Sequence, residues 1–244
     1  MPRTAIGGRV GAMTSLTDRS VIVVGATGGL GLPIAHALAA EGCRLTLVGR
    51  DAERIRATGV PGVAVGTDVR KAASAAHIVD VAVAEQGGID GIIYAAGAVA
   101  FGAIDELPDD VMIELFTLNT LAPIRLLRAA LPALRASAAA SREPFVAHIS
   151  AVVAEQPQAG MAAYSATKAA LAAYDTAAAR ELRREGIRLV DVRPPHTETG
   201  LAQRPLAGSA PRLPQGLDPQ QVADRVVAAL RDGEKDVPSS AFSG

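Results

Sequence analysis

The amino-acid sequence predicts an α/β protein with one doubly wound parallel β-sheet that is flanked by helices on both faces. Short apolar, β-branched runs alternate with helical patterns along the chain, as expected of βαβ units. A glycine-rich turn separates the first of these runs from the first helical pattern. The 244 residues contain neither an internal repeat nor a linker, and this length suits one large domain.

The individual elements follow from hydrophobic pattern and from stop signals. The predicted strands occupy 21–25, 44–49, 63–66, 89–97, 144–150 and 187–194. Helices are predicted up to about Ala40, from about Asp51, over 72–85, 109–116, 119–136 and 162–185, and from Asp218. A loop rich in Pro and Gly covers about 195–217, where we expect the substrate to bind. Residues 1–15 are expected to form a flexible leader, with Met13 as an alternative start, and 16–244 to form the domain.

Residues 21–40 imitate a membrane segment, because they contain no Asp, Glu, Lys or Arg and are long enough to span a bilayer. Four glycines, Pro33 and His36 interrupt this stretch, and its pattern changes from a β-branched run to a helical one. We therefore predict a strand, a turn and a helix, and no membrane contact.

Composition excludes several classes of function. The net charge is −1 and no basic run occurs, so the chain lacks the electrostatic footprint of a nucleic-acid-binding protein. Cys43 is the only cysteine, which excludes an internal disulfide and fits a reducing, cytoplasmic environment. The four histidines show no metal-binding spacing, and no metal is expected; they are His36, His77, His148 and His196.

The turn after the first strand reads Gly25-Ala26-Thr27-Gly28-Gly29-Leu30-Gly31. Glycines allow a pyrophosphate to approach the backbone closely, and the following helix offers its N-terminal amides and the positive end of its dipole. The spacing fits both G-x-x-x-G-x-G and G-x-x-G-x-x-G, and no Gly-Lys-Ser/Thr of a P-loop follows. The turn therefore predicts dinucleotide binding, and the alternative is a tight turn without a ligand.

The residues after the second and third predicted strands bear on which dinucleotide binds. The second strand ends in Gly49 and is followed by Arg50 rather than by an acidic residue. An arginine here can pair with a 2′-phosphate, which favours NADP over NAD, although a solvated arginine is the alternative. Asp68 and Val69 follow the third strand, where they can meet the adenine, and Asp68 can equally be a capping or loop residue.

Tyr164 and Lys168 stand four residues apart early in a predicted helix, so their side chains share one face. An ammonium beside the phenol favours the phenolate and is expected to lower the pKa of Tyr164, which suits proton transfer near neutral pH. Ser165 and Lys168 also spell S-x-x-K, the motif of penicillin-recognising hydrolases, but the S-D-N and K-T-G partners of that motif are missing.

Together these motifs resemble the short-chain dehydrogenase/reductase (SDR) family over roughly residues 19–232. The resemblance adds the Ala95-Ala96-Gly97 turn, Asn119 and the segment 194–199. It implies a Rossmann fold, NAD(P) as cofactor, Tyr164 as general acid/base and Lys168 as the residue that tunes it and holds the nicotinamide ribose. Asn119 would hold a relay water, and Pro194, Thr197 and Thr199 would contact the nicotinamide side of the cofactor.

The sequence also departs from the family pattern. Tyr94-Ala95-Ala96-Gly97 stands where the family has N-N-A-G, and Pro194-Pro195 stands where it has P-G. The serine of the family precedes the tyrosine by 13 residues, where this chain has Ala151, and Ser150 lies one residue earlier. Neighbouring residues on a strand face opposite ways. Either the loop 151–163 contains an extra residue and Ser150 still serves, or the site lacks this donor.

The expected function is reversible hydride transfer between NADP(H), or less favourably NAD(H), and a small carbonyl/alcohol pair, with Tyr164, Lys168, Asn119 and Ser150 as catalytic candidates. His196 is a candidate substrate contact, and Glu155 and Gln156 are either pocket or solvated loop residues. The alternatives are an NADP-binding sensor or scaffold, and a sugar-nucleotide epimerase or dehydratase. By resemblance, a homodimer or homotetramer is expected, packed through the helices predicted over 119–136 and 162–185.

Overall fold

The computed structural model describes residues 15–242, in which seven strands and seven helices alternate. The predicted leader, apart from Ser15, and Met13 lie outside the described residues. The strands are β1 (Ser20–Val24), β2 (Arg44–Gly49), β3 (Val63–Gly66), β4 (Gly91–Tyr94), β5 (Phe145–Ile149), β6 (Arg188–Val192) and β7 (Asp236–Val237). The helices are α1 (Gly31–Ala40), α2 (Ala52–Arg56), α3 (Ser74–Gln86), α4 (Asp109–Phe116), α5 (Ala122–Ala139), α6 (Ala162–Leu182) and α7 (Pro219–Arg231).

All seven strands form one parallel sheet in the order β3-β2-β1-β4-β5-β6-β7. The strand order reverses on either side of β1, which confirms the single-domain, doubly wound Rossmann fold. A sheet of this kind presents the carboxyl ends of its strands along one edge, and ligands bind in the crevice where the order reverses. Here that crevice lies at the ends of β1 and β4.

Both faces of the sheet are buried, which explains why the strands are continuous apolar runs. Along β1, Val21 and Val23 pack into a cluster with α1 and α7, whereas Ile22 and Val24 pack into a second cluster with α3 and α5. A third apolar cluster lies beyond the carboxyl ends of the strands, around Tyr164.

Most predicted boundaries match the observed elements to within a few residues, and the stretch 21–40 is β1, a turn and α1 as predicted. Within residues 15–242, no helix is both long enough and apolar enough to cross a bilayer. Asp51 and Asp218 cap α2 and α7, each accepting two backbone N–H bonds. The segment 195–217 contains no helix or strand apart from a bridge between Thr197 and Leu217, so the predicted loop is confirmed.

One predicted helix start was wrong, one strand is shorter than the segment predicted for it, and one strand was missed. The helix predicted over 119–136 begins instead as a π-helical turn, Thr117–Leu121, and becomes α-helical at Ala122. The segment 89–97, predicted as a strand that runs into a turn, pairs at Gly91–Tyr94, and the turn begins at Ala95. The two-residue strand β7 was not predicted, since two residues carry no periodic signal.

Candidate active site

The glycine turn after β1 lies directly against two other predicted site segments. Gly25 has a φ of +85°, and a Cβ added there would lie 2.9 Å from the backbone nitrogen of Ala96. A Cβ added at Gly29 would lie 2.5 Å from the Cβ and the carbonyl oxygen of Thr199. The structure therefore brings the turns at 25–31, 95–97 and 194–199 together at the crevice.

The first turn of α1 fits a bound phosphate. No side chain caps this helix end, and its first turn contains no acidic residue. A Cβ added at Gly31 would lie 2.1 Å from the carbonyl oxygen of Gly25, so the close turn that exposes these amides requires glycine. Free N-terminal amides and the positive dipole end form a site for an anion. The residues present therefore fit the pyrophosphate of a dinucleotide.

Arg50 follows β2 and Asp68 follows β3, and the two side chains differ in whether they are paired. Arg50 is exposed, and it forms no ion pair with any residue among 15–242. Asp68 accepts two side-chain bonds from Arg70, at 2.7 and 2.9 Å, and Arg70 also pairs with Glu114. Hydrogen bonds from Arg70 hold the pKa of Asp68 below its usual range despite partial burial. Arg50 is thus the cation available at the crevice end, whereas Asp68 is already part of an ion-pair network.

The turn after β4 is held by Tyr94 and Asn119. The Tyr94 hydroxyl donates to the carbonyl oxygen of Leu118 at 3.0 Å. Asn119 accepts from the backbone N–H of Ala98 at 2.9 Å and donates to the carbonyl of the same residue, also at 2.9 Å. These bonds supply the tie that two asparagine side chains would otherwise provide at 94 and 95.

Asn119 also connects the turn to the helix that carries Tyr164 and Lys168. Its amide nitrogen donates to Thr167 Oγ1 at 3.1 Å, and Thr120 Oγ1 donates to the Thr167 carbonyl at 2.9 Å. A Cβ added at Gly97 would lie 3.2 Å from Asn119 Oδ1 and 3.6 Å from Lys168 Nζ. Asn119, Gly97 and Lys168 therefore lie together, as predicted.

Tyr164 and Lys168 share the buried face of α6, in its first two turns. Lys168 Nζ lies 6.0 Å from the centre of the Tyr164 ring. It donates to the carbonyl oxygen of Ile149, the last residue of β5, at 2.9 Å. The two side chains are only 7% and 4% exposed. The predicted pair is thus placed at the carboxyl ends of the central strands.

The protonation of this pair differs from the expectation that Lys168 lowers the pKa of Tyr164. Burial raises the pKa of Tyr164 above its usual value. Burial also lowers the pKa of Lys168 to about 8, against the opposing effect of Asp191 and Asp175. The reason is desolvation, which disfavours the phenolate and the ammonium alike. Tyr164 is therefore a neutral phenol in this structure.

Ser150 and Ala151 face opposite ways at the end of β5. The Ser150 hydroxyl is 3% exposed and donates to the Asp191 carboxylate, with the Val192 carbonyl 3.2 Å away. Ala151 packs instead against the apolar cluster that contains Tyr164. A hydroxyl has one proton to donate, and Ser150 gives this proton to Asp191. The placement favours the second alternative, in which the site lacks the serine donor.

The segment from Pro194 onward closes over the apolar side of the site. Pro194 accepts from Val152 N at 3.0 Å, and Thr197 is nearly buried, with its hydroxyl bonded to the Pro195 carbonyl at 2.9 Å. Farther along, two backbone bonds join 206–207 to 99–101, at 2.8 and 3.0 Å. The walls around Tyr164 are therefore apolar; they are formed by Ala98, Val99, Ala100, Phe101, Leu115, Val153, Met161, Leu201, Ala202 and Ala207.

His196 and Glu155 contact other side chains, whereas Gln156 is bonded through its backbone carbonyl. His196 lies 3.5 Å from a carboxylate oxygen of Glu198. Glu155 accepts from Arg193 and from the hydroxyl of Ser239, which fixes it against the C-terminal segment. Gln156 contributes its carbonyl to the Gln158 side chain at 3.1 Å. Among residues 15–242, no three His, Cys, Asp or Glu side chains are grouped so that they could hold a metal ion.

Sequence reasoning missed a group of buried polar residues behind Lys168. His148 Nδ1 lies 2.8 Å from Asp175 Oδ1, and both side chains are almost fully buried. Asp191, on β6, accepts from Ser150 and from Arg193. A signal was present, since Asp191 interrupts an apolar strand and Asp175 interrupts an alanine-rich helix.

Comparisons with known proteins agree with this geometry. The sequence model of the short chain dehydrogenase family matches residues 19–208. An uncharacterized oxidoreductase of Methylorubrum extorquens is 32% identical, with 81% of each chain covered. The ketoacyl reductase HetN of Nostoc sp. is 29% identical, with 92% of this chain and 79% of the relative covered.

Solved structures give the same result. A dehydrogenase/reductase from Sinorhizobium meliloti has a TM-score of 0.78 at 27% identity, covering 94% of this chain and 98% of the other. A short chain dehydrogenase from Burkholderia cenocepacia, solved in complex with NADP, has a TM-score of 0.79 at 25% identity, covering 94% and 100%. The chain belongs to the short-chain dehydrogenase/reductase family. It is thus an oxidoreductase by family.

Proposed function

We propose that this enzyme uses NADP(H) to interconvert a carbonyl and an alcohol, with Tyr164 as the proton donor and acceptor. The observation that carries the proposal is the convergence of the glycine turn, Gly97, Asn119, Tyr164 and Lys168 on one crevice at the carboxyl edge of the sheet. The cofactor, when bound, supplies or accepts the hydride at the reacting carbon.

The chain's own residues perform the proton chemistry. No hydrogen bond with residues 15–242 engages the Tyr164 hydroxyl, so it is free to donate to a substrate oxygen. Burial raises the pKa of Tyr164, so it favours the neutral phenol that can donate a proton to a carbonyl oxygen. Lys168 contributes positive charge beside it, and Asn119 connects the turn at 97–98 to Thr167, the residue before Lys168.

The preference for NADP rests on Arg50. Its guanidinium is exposed and unpaired with respect to residues 15–242, and no acidic residue ends β2. A planar guanidinium binds a phosphate through charge-assisted hydrogen bonds. The Burkholderia cenocepacia relative was solved with NADP, which supports the same assignment here. The proposed cofactor contacts are Gly25, Thr27, Gly28, Gly29, Leu30, Gly31, Arg50, Asp68, Val69, Ala95, Ala96, Gly97, Tyr164, Lys168, Pro194, Thr197 and Thr199.

The apolar walls around Tyr164 favour carbonyl compounds with an apolar body. The charged side chains near this cluster have other partners: Glu155 binds Arg193 and Ser239, and Arg204 binds the carbonyls of its own loop. We therefore expect the part of the substrate beside Tyr164 to be apolar.

The test is the decrease in NADPH absorbance with a panel of apolar aldehydes and ketones. Tyr164→Phe should reduce kcat by at least about a hundredfold, in line with the usual contribution of a general acid. Tyr174→Phe is the matched control, since Tyr174 lies on the same helix but packs into the α5 side of the core. If the wild-type protein and Tyr174→Phe bind NADPH but turn over none of the carbonyl compounds, the enzyme proposal is refuted.

A second candidate function is an NADP-binding sensor or scaffold with little catalysis. It is favoured by Ala151, which leaves Tyr164 without a neighbouring hydroxyl donor at the end of β5. Tight NADPH binding in calorimetry together with unchanged residual activity in Tyr164→Phe would support this candidate. A homo-oligomer and a cytoplasmic location stay predictions, which light scattering and cell fractionation can test.

A further inference from the structure

The cluster behind Lys168 consists of five polar side chains buried between β5, β6 and α6. They are His148, Ser150, Lys168, Asp175 and Asp191, and each is at most 6% exposed. His148 on β5 lies directly opposite Asp191 on β6 in the strand pairing. Such a group is costly to bury unless its charges are paired, so its arrangement calls for a function.

The hydrogen bonds of Lys168 do not by themselves compensate its charge. Its ammonium donates to a neutral carbonyl, that of Ile149, at 2.9 Å. The next residue, Ser150, donates to Asp191 on the neighbouring strand β6, so Lys168 and Asp191 bind adjacent residues at the end of β5. Burial lowers the pKa of Lys168, and the negative charges of Asp191 and Asp175 oppose this effect.

Asp191 also binds Arg193, but it is not the only carboxylate that this arginine contacts. The single guanidinium of Arg193 is shared among three carboxylates, those of Glu155, Asp191 and Asp236. Asp191 is the most buried of the three, and burial raises its pKa while the bonds from Ser150 and Arg193 favour its charged form. Asp175, in contrast, shares its charge with His148, and its second oxygen has no partner among the described residues.

We propose that Asp191 is a positioning residue that holds Lys168 in its ammonium form, and that Ser150 fixes the Asp191 carboxylate for this task. Ser150 thereby acts through Asp191 and Lys168 rather than by touching the substrate. The charged or titratable groups that surround Lys168 are Tyr164 and Asp175 on α6, His148 on β5, and Asp191 with Arg193 on β6. The proposal rests on the proposed function, since it assigns Lys168 a role in proton transfer.

The first measurement follows Lys168 directly and needs neither cofactor nor turnover. The chain has only three lysines, Lys71, Lys168 and Lys235, so lysine labelled with ¹³C and ¹⁵N gives three side-chain signals in an NMR titration. Lys71 and Lys235 are exposed and serve as internal references. Asp191→Asn should lower the titration midpoint of Lys168 by about one pH unit or more, because an opposite charge favours the charged form.

The matched control is Asp236→Asn, which removes another carboxylate from Arg193 but one that is 58% exposed. It should leave the midpoint of Lys168 unchanged. A midpoint that is the same in wild type and in Asp191→Asn overturns the proposal, even if that variant is inactive, because the role of Asp191 would then be structural. If Asp191→Asn does not fold, Ser150→Ala takes its place and should lower the midpoint by a smaller amount; no shift there also overturns the proposal.

The second measurement is the pH profile of kcat with NADPH. In Asp191→Asn, Lys168 loses its proton at lower pH, so the alkaline decrease in kcat should move to lower pH by the shift seen in NMR. Above that pH, kcat should fall about tenfold for each pH unit. Asp191→Glu should restore most of the wild-type profile. If the NMR midpoint shifts while no carbonyl is turned over by any variant, the proposed function fails and the assignment of Asp191 stands.

Discussion

Restoring a hydroxyl at position 151 is the change for which the structure gives the clearest expectation. Ala151 has an extended backbone, with φ −177° and ψ 163°, and its methyl group packs on the Tyr164 side of the β5 end. Ser150 faces the opposite side, toward Asp191. Ala151→Ser would therefore place a donor beside Tyr164 without disturbing the buried ionic cluster.

The size of the effect follows from the number of donors at the substrate oxygen. In the proposed mechanism Tyr164 is the only one. A second preorganised donor contributes about 10²–10³ in kcat in related oxyanion sites, and some of this is lost if the new hydroxyl is imperfectly aligned. We therefore expect Ala151→Ser to raise kcat by about 10²-fold with little change in KM. Because Ala151 is partly exposed, the free energy of unfolding should change by less than about 1 kcal/mol.

The assay is steady-state reduction of the best carbonyl of the panel by NADPH. Ala154→Ser is the control, because it adds the same hydroxyl to the same turn outside the Tyr164 cluster. A kcat of Ala151→Ser that equals wild type, or an increase that Ala154→Ser shares, would refute the reasoning. The result would then mean that the donor is supplied by another group or that it is not needed for this substrate.

Three further changes test the cofactor site and the fold. Arg50→Ala should raise KM for NADPH by about 10–100-fold with little effect on NADH, as expected for lost bonds to a phosphate, whereas Arg54→Ala should not. Gly31→Ala places a Cβ 2.1 Å from a backbone oxygen, so NADPH affinity measured by calorimetry should fall at least about tenfold; full affinity would contradict the phosphate site. Although burial raises it, the pKa of Asp90 is held below its usual range by bonds from Arg142, Ser137 and Ser20. The contribution of Asp90 to stability is therefore present above about pH 4 and is lost on acidification. Asp90→Asn should lower the free energy of unfolding in urea by about 2 kcal/mol at pH 7 and make it depend less on pH. A variant whose stability falls as steeply with acid as that of wild type would contradict this.

Much of the fold could be predicted because it depends on periodic signals. Strands buried along their whole length, such as β1 and β4, are mainly apolar runs, and glycines at 42, 87 and 186 adopt the left-handed conformation that ends a helix. Strand β7 could not be predicted, because its two residues pair with β6 through tertiary contacts alone. The π-helical turn was likewise hidden, since its composition is that of an ordinary helix.

The site was predictable only where function requires a residue type at a fixed spacing. Tyr164, Lys168 and Asn119 meet as predicted, because their positions follow from the order of strands and helices. The direction of the pKa of Tyr164 could not be obtained in this way, since it depends on how completely the loop buries the ring. The orientation of Ser150 depends in turn on Asp191, which is distant in sequence.

The π-helical turn Thr117–Leu121 has a consequence for how this region tolerates change. Successive side chains of an α-helix are rotated by about 100° around the helix axis. One additional residue in a turn therefore rotates the side chains of the preceding helix relative to those of the following helix. Leu115 of α4 thereby faces the Tyr164 cluster, whereas Leu126 of α5 faces the core beneath the sheet. Deleting one residue between 117 and 121 would yield a more regular helix, but it would turn one of these two apolar faces toward water. Asn119 lies within that turn. Insertions and deletions should therefore be tolerated less in this turn than in the surrounding surface loops.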